Sequence, residues 1–386
     1  YQEEGVFTND VGNAFVKECE IEIGGQRIDR HYSQWLDIWN ELSDHHESYY
    51  HGLGKSGQTL DYPVNISHSV RVDELGRGGA RQHMGDNYRS RVTPLTYKFF
   101  VPLQFWFCRN VGLALPLIAL QYHEVKLKLT TRAISSLTMT ATGINREAQN
   151  TAPNVSLYAD YIYLDTDERR RFAQVSHEYL IEQVQRNQVS MAQDKELNFN
   201  HPVKLLTWVV QRDGLLNEVT SASASVPDRV KYLSTEFNGN NYVAPLGNDY
   251  FNYDVTHINN SYLENTGTSQ NRYPFKTMKL QLNGHDRFSA RGPSYFTLCQ
   301  RAQYDLHMAS TVHNIFVYSF SLKPLEHQPS GTCNFSRIDN AKMIFEHEPA
   351  KGGDATGYES STLTVYAVNY NVLRIMSGMG GLAYSN

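Results

Sequence analysis

Apolar and polar residues alternate along several stretches of this chain, which is the pattern of a β-strand with one buried face. The alternation is cleanest from Glu124 to Thr130, where valine and leucine oppose glutamate and lysine. It recurs from Glu18 to Ile23 and from Met278 to Asn283. Each of these stretches is therefore predicted to be a strand that buries alternate side chains in a sandwich core.

Other apolar runs bounded by turn residues extend this prediction. Further strands are predicted at Val155 to Leu164, Val203 to Val210, Asn314 to Leu322, Ala341 to Phe345 and Leu363 to Ile375. No helical pattern alternates with them, which argues against a parallel α/β fold. Many strands separated by turns indicate an all-β protein built from antiparallel sandwiches or barrels. Trp208, an aromatic residue on an apolar strand, is predicted to be buried.

Two short helices are predicted. The first runs from Ser33 to Leu42, where tryptophan, isoleucine and leucine side chains share one face behind a serine cap. The second begins at Asp165, whose side chain can cap the first turn. It carries Arg169, Arg170 and Arg171, which we interpret as a solvated helix face and not as a phosphate site.

Length and composition narrow the class of protein. The chain has 386 residues, which favours two domains over one core, and its 25 Tyr and 17 Phe favour β structure. A formal net charge of -5 disfavours direct binding to nucleic acid. The longest apolar stretch, Val111 to Leu120, is too short to span a bilayer, so no transmembrane segment is predicted. The four cysteines form no CxxC pair and are interpreted as free thiols.

Two domains are expected at residues 1–180 and 181–386. The boundary is placed between Asp165 and Asn200, because the second helix and the polar stretch from Gln185 to Glu196 would separate two sets of strands. A weak internal repeat supports a duplication, since residues 21–27 and 280–287 each combine an apolar strand, a glycine turn and an arginine.

A search for chemistry gives no catalytic, cofactor-binding or metal-binding residue. His123 and Glu124 begin like a zinc-protease helix, but the second histidine is missing and the stretch alternates like a strand. His45, His46 and Glu47 are adjacent residues in a polar loop and lack further ligands at fixed spacing.

The glycine-rich string from Gly378 to Ala383 matches a dinucleotide-binding motif. A phosphate site there would need the N-terminus of a following helix, and only three residues remain after the string. We therefore predict a docking tail near the base of the molecule or a neighbouring subunit.

Seven long segments resemble the major capsid proteins of nucleocytoplasmic large DNA viruses, most closely those of algal phycodnaviruses. The segments are Glu20 to Leu42, Phe99 to Leu129, Tyr158 to Gln185, Leu197 to Val210, Leu280 to Phe296, Val317 to Ala341 and Asn369 to Asn386. Together they cover about two fifths of the chain, in order, so chance agreement is far less expected than for a short motif.

The resemblance implies two tandem eight-stranded antiparallel jelly rolls with few short helices. It also implies homotrimeric, pseudo-hexagonal capsomers that tile an icosahedral shell over an internal membrane, with no enzymatic activity and no cofactor. The implied partners are the other copies of the chain, neighbouring capsomers and minor capsid proteins beneath the shell. The implied location is the outer capsid shell of the virion, with assembly in the host cytoplasm. An N-terminal arm and an opening strand would precede Tyr1 in this family.

Two sites of glycosylation are expected on the outer surface of the second domain. Asn259 begins an Asn-Asn-Ser sequon, and Asn265 begins an Asn-Thr-Gly-Thr sequence that resembles glycan sites of algal viruses. Two other functions stay open, because a fold does not fix a function. A jelly-roll lectin or host-attachment protein would bind glycans, whereas a cupin-type metalloenzyme would bind stoichiometric metal.

Overall fold

The computed structural model describes residues 6–7, 11–43, 101–139, 154–212, 233–237, 240–243, 250–251, 253, 273–306, 314–346 and 361–384. Within these ranges the chain is mostly β structure with few short helices, as predicted. The strands are β1 (Val6–Phe7), β2 (Val16–Ile23), β3 (Gln26–Tyr32), β4 (Val125–Thr131), β5 (Thr138–Met139), β6 (His177–Ser190), β7 (Asp194–Glu196), β8 (Pro202–Arg212), β9 (Leu233–Phe237), β10 (Asn240–Val243), β11 (Thr277–Leu282), β12 (His285–Asp286), β13 (Phe316–Ser319), β14 (Cys333–Asn334), β15 (Ala341–Glu346), β16 (Ser361–Met376) and β17 (Met379–Leu382). The α-helices are α1 (Val11–Phe15), α2 (Ser33–Ser43), α3 (Trp106–Arg109), α4 (Thr166–Gln174) and α5 (Gln300–Gln303), and a π-helical turn (Tyr295–Cys299) precedes α5.

The largest sheet is built around β16. Along one edge β16 pairs with β6, and along the other it pairs first with β8 and then with β17. β13 and β14 pair with the far edge of β8. All of these pairs are antiparallel. From Ser361 to Asn371 nearly every side chain of β16 is buried, which is the pattern of a central strand covered on both faces.

Two smaller sheets complete the main architecture. A four-stranded sheet has the order β12-β11-β15-β7, and a three-stranded sheet has the order β3-β2-β4. The predicted alternation is confirmed in β2, where Cys19, Ile21 and Ile23 are buried, and in β11, where Met278 and Leu280 are buried. In β4 the predicted burial is wrong, because Val125 and Leu127 are only half-buried and Leu129 is exposed.

The large sheet and the four-stranded sheet pack face to face as a β-sandwich. The core between them contains apolar side chains from β8, β16, β11 and β15. Trp208 lies at its centre with 0% exposure and contacts the rings of Phe296 and Phe316, which confirms the predicted burial. We refer to this as the sandwich core.

A second core forms where α2 packs against the large sheet. Trp35, Ile38, Trp39 and Leu42 are buried there, so the predicted helix and its apolar face are confirmed. A third core, which we call the first-half core, joins β2 and β3 to α3 and to the ends of β6 and β16. The ends of β6 and β16 thus connect the first half of the chain to the large sheet.

Two hairpins explain the internal repeat. The turn between β2 and β3 has φ +57° at Gly24 and +83° at Gly25, and the turn between β11 and β12 has +50° at Asn283 and +82° at Gly284. Two-residue turns with positive φ at both positions match the right-handed twist of the flanking strands. The repeat therefore marks the same hairpin geometry in two different sheets.

The second helix is confirmed, because the Asp165 carboxylate accepts a hydrogen bond of 2.8 Å from the Glu168 N–H. Two other expectations are wrong. The predicted strand from Val155 to Leu164 has no regular secondary structure and pairs with none of the described strands. Most of the polar stretch from Gln185 to Glu196 belongs to β6 and β7, because only one face of these strands has to be buried.

Candidate functional site

The residues that first suggested chemistry have structural roles. His123 Nδ1 lies 2.9 Å from the carbonyl oxygen and 3.1 Å from the nitrogen of Gly380, and Glu124 is exposed and paired with Lys126. The string from Gly378 to Ala383 forms the hairpin of β17 with β16. Across the described part of the chain, no three His, Cys, Asp or Glu side chains are grouped so that they could hold a metal ion. None of its helices is both long and apolar enough to cross a bilayer.

Other predicted residues cannot be placed. Asn259 and Asn265, the candidate glycan sites, lie outside the described residues, as do His45, His46 and Glu47. The three arginines of α4 are placed, and all of them are exposed. The remaining candidate surfaces are the junction between the two halves of the chain and the exposed faces.

A β-bulge places a lysine in this junction. In the pairing of β8 with β16, Leu205 faces Val368 and Val203 faces Asn369, so Lys204 is an extra residue on β8. A bulge redirects a side chain relative to its neighbours in the strand. The Lys204 side chain is 0% exposed and points toward Glu182 of β6.

Glu182 is surrounded by cationic and polar groups. Its Oε1 lies 2.6 Å from Lys204 Nζ and 3.5 Å from His327 Nδ1, and its Oε2 lies 2.8 Å from Arg109 Nη2. Lys204 also donates a hydrogen bond of 3.3 Å to the Glu326 carbonyl oxygen. The Glu182 side chain is 3% exposed, whereas those of Arg109 and His327 are 26% and 28% exposed. These four ionisable groups, which we call the Glu182 cluster, come from β6, β8, α3 and the connection between β13 and β14.

The pKa values in this cluster are shifted by competing effects. Burial alone would raise the pKa of Glu182, but the hydrogen bond with His327 and the charges of Lys204 and Arg109 outweigh it and lower the pKa to about 2. Burial lowers the pKa of Lys204, and the neighbouring Glu182 opposes that shift. Glu182 is therefore ionised at neutral pH.

Buried amides form a second polar group beside this cluster. Gln183 Oε1 accepts hydrogen bonds from the side-chain amides of Asn369 at 3.4 Å and Asn371 at 3.0 Å. The Gln183 amide donates to the carbonyl oxygen of Ile28 in β3, and the Asn371 amide donates to that of Tyr384 at 2.9 Å. Such a satisfied network fixes the register of β6, β16, β3 and the C-terminal segment more specifically than apolar packing does.

The segment from Asn154 to Leu164 exposes several large apolar side chains. More than half of the area of six large apolar side chains is exposed: Val155, Leu157, Tyr158, Tyr161, Ile162 and Tyr163. Large exposed apolar patches are typical of interaction sites, so this segment is a candidate for one. We call residues 154–164 the exposed segment.

Sequence analysis missed the Glu182 cluster. Arg109, Glu182, Lys204 and His327 are far apart in the sequence, and no motif links them. A single signal was present, because Lys204 interrupts an otherwise apolar strand from Val203 to Val210 and a buried lysine needs an anionic partner.

The fold and these surfaces define a β-rich protein with a buried polar junction between its two halves. Comparison with known proteins identifies the class further. The family model described as "Large eukaryotic DNA virus major capsid protein" matches residues 168–381, and the one described as "Major capsid protein N-terminus" matches residues 1–165.

Individual relatives agree with these matches. The major capsid protein of Pyramimonas orientalis virus is 41% identical over 401 residues, covering 98% of this chain and 78% of the relative. That of Paramecium bursaria Chlorella virus 1 is 36% identical, covering 96% of this chain and 79% of the relative. A solved structure, the quasi-atomic PBCV-1 virus capsid, aligns with a TM-score of 0.67 and 34% identity, covering 100% of this chain and 87% of that one.

The chain therefore belongs to the major capsid protein family of large eukaryotic DNA viruses. It is a structural protein of the virion capsid shell and not an enzyme, as the resemblance implied.

Proposed function

We propose that three copies of this chain form a pseudo-hexagonal capsomer of an icosahedral shell, with the first domain of one copy against the second domain of the next. The observation that carries this proposal is the two-part organisation around β6 and β16, in which the first-half core and the sandwich core are attached to one sheet. Three two-lobed subunits present six similar lobes, and head-to-tail contacts close when the rotation is threefold.

Each part is proposed to be one jelly roll of eight antiparallel strands, with domains at residues 1–180 and 181–386. The two family models, which match residues 1–165 and 168–381, support a division in this region. The repeated hairpin geometry at Gly24 and Gly284 supports a duplication. β6 connects the two parts, since Ile181 packs in the first-half core and Val189 packs against the sandwich core.

Arg212 and Ser361 are paired, so β8 ends and β16 begins at the same end of the large sheet. We propose that this end faces outward. The hairpin of β16 with β17 lies at the opposite end, beside the turn at Gly24. The glycan candidates Asn259 and Asn265 belong to the stretch between β10 and β11, and we propose that they are glycosylated on the outer surface. Unmodified peptides at both positions, in mass spectrometry of virions, would contradict this.

The proposed partners are other copies of the chain, neighbouring capsomers and minor capsid proteins beneath the shell, and the proposed assembly site is the host cytoplasm. Direct contact with nucleic acid is not proposed, because a net charge of -5 does not favour the neutralisation of phosphates. The exposed segment and the arginines of α4 offer surface for contacts with protein partners.

Electron microscopy of the purified protein tests this proposal. We expect particles with a hexagonal outline and threefold density. Particles with one lobe, or with twofold symmetry, would contradict the pseudo-hexagonal capsomer.

A further inference from the structure

Glu182 joins three segments that are far apart in the sequence. One carboxylate oxygen contacts Lys204 of β8 and His327 of the connection between β13 and β14, and the other contacts Arg109 of α3. A single carboxylate thus bridges the first half of the chain, the large sheet and a segment without regular secondary structure.

We infer that Glu182 is an electrostatic clamp that holds α3 and the connection between β13 and β14 against the large sheet. The charge balance supports this role, because one carboxylate faces the ammonium of Lys204 and the guanidinium of Arg109. Without the anion, the Lys204 ammonium would be buried without a counter-ion, which is strongly unfavourable.

The connection between β13 and β14 must move if Lys204 is to reach water. The Lys204 side chain is fully buried, and its ammonium donates to the Glu326 carbonyl oxygen in this connection. The Tyr370 hydroxyl, which donates 3.4 Å to the His327 carbonyl oxygen, holds the same connection against β16. Loss of the anion is therefore expected to open residues 322–331.

The opening should stay local. Arg109 is partly exposed and can reach water by a small movement of α3, whereas Trp106 of the same helix stays buried in the first-half core. None of the cluster residues belongs to the sandwich core, which contains Trp208 and Leu363. Local opening without loss of a core is typical of segments held by few contacts.

Hydrogen exchange of the Glu182→Gln variant tests the clamp, because glutamine keeps the size and removes the charge. We expect the amides of residues 106–113 and 322–331 to exchange at least about tenfold faster, while those of residues 363–368 keep their rates. Glu178→Gln is the matched control. Glu178 lies on the same strand, and its pair with Arg374 is 57% and 52% exposed, so its removal should leave all three regions unchanged.

The double variant Glu182→Gln with Lys204→Met separates charge from packing, and it is also informative if the single variant does not fold. Removal of both buried charges should restore slow exchange in residues 322–331, whereas residues 106–113 should stay fast because Arg109 still lacks its anion. Unchanged exchange in Glu182→Gln would overturn the clamp. A uniform increase that includes residues 363–368, or a double variant that opens residues 322–331 as much as the single one does, would also overturn it.

Discussion

β16 and the exposed segment have similar sequence patterns but differ in burial and in strand pairing. Both are apolar runs bounded by turn residues, and both were predicted to be strands. β16 is paired along both edges and almost entirely buried, whereas the exposed segment has no strand partner among the described residues and exposes six large apolar side chains. An apolar run therefore predicts that a segment will be buried, but it does not show whether the chain itself or a partner protein buries it.

The largest expected effect on the free energy of unfolding is at Trp208 of β8, which pairs with β16. Trp208→Ala should lower the free energy of unfolding by about 3–5 kcal/mol, because the indole is fully buried between Phe296 and Phe316. Chemical denaturation followed by circular dichroism measures this. A loss below about 1 kcal/mol would mean that the sandwich core does not hold the fold together.

A smaller effect on the free energy of unfolding is expected at Gly378, in the turn between β16 and β17. Gly378 has φ +78°, and a Cβ there would lie 2.5 Å from the ring of Tyr122, so Gly378→Ala should cost about 2–3 kcal/mol. Gly25→Ala is the control, since Gly25 has φ +83° but nothing within 4 Å of a Cβ. It should cost only about 1–2 kcal/mol. Equal thermal shifts in the two variants would contradict the close approach of Tyr122.

Acid should weaken the junction beside β16. The pKa of Glu182 is lowered in the folded chain from 4.5 to about 2, so its contribution to stability is complete above about pH 4.5 and is lost as the pH falls toward 2. The loss should be on the order of 3 kcal/mol, and it should be absent in Glu182→Gln. The groups that face this carboxylate are Lys204, Arg109, His327 and, at longer range, Tyr370. Denaturant midpoints measured at several pH values test this, and identical acid sensitivity in the two proteins would refute it.

The smallest effect is expected in the exposed segment. Tyr161 is 68% exposed, so Tyr161→Ser should change the free energy of unfolding of the isolated chain by less than about 0.5 kcal/mol. A loss comparable to that of Trp208→Ala would show that the chain itself covers this segment, and the contrast with β16 would disappear.

Local patterns predicted most of the elements, and long-range contacts explain what they missed. Alternation located β2, β4 and β11, and the caps and apolar face located α2 and α4, because these signals depend on neighbours in the sequence. The Glu182 cluster could not be predicted, since its residues meet only after β8 pairs with β16 and bulges at Lys204. The polar stretch from Gln185 to Glu196 was wrongly predicted to separate two sets of strands. Most of it forms edge strands, and an edge strand with one solvent-exposed face needs few apolar residues.

The central claim is that this capsid protein assembles as a homotrimer. Light scattering of the purified full-length polypeptide at micromolar concentration tests it most directly. The account predicts a stable particle of three subunits, with a mass of at least three times the 44.1 kDa of the chain described above. A stable monomer or dimer under these conditions would contradict it.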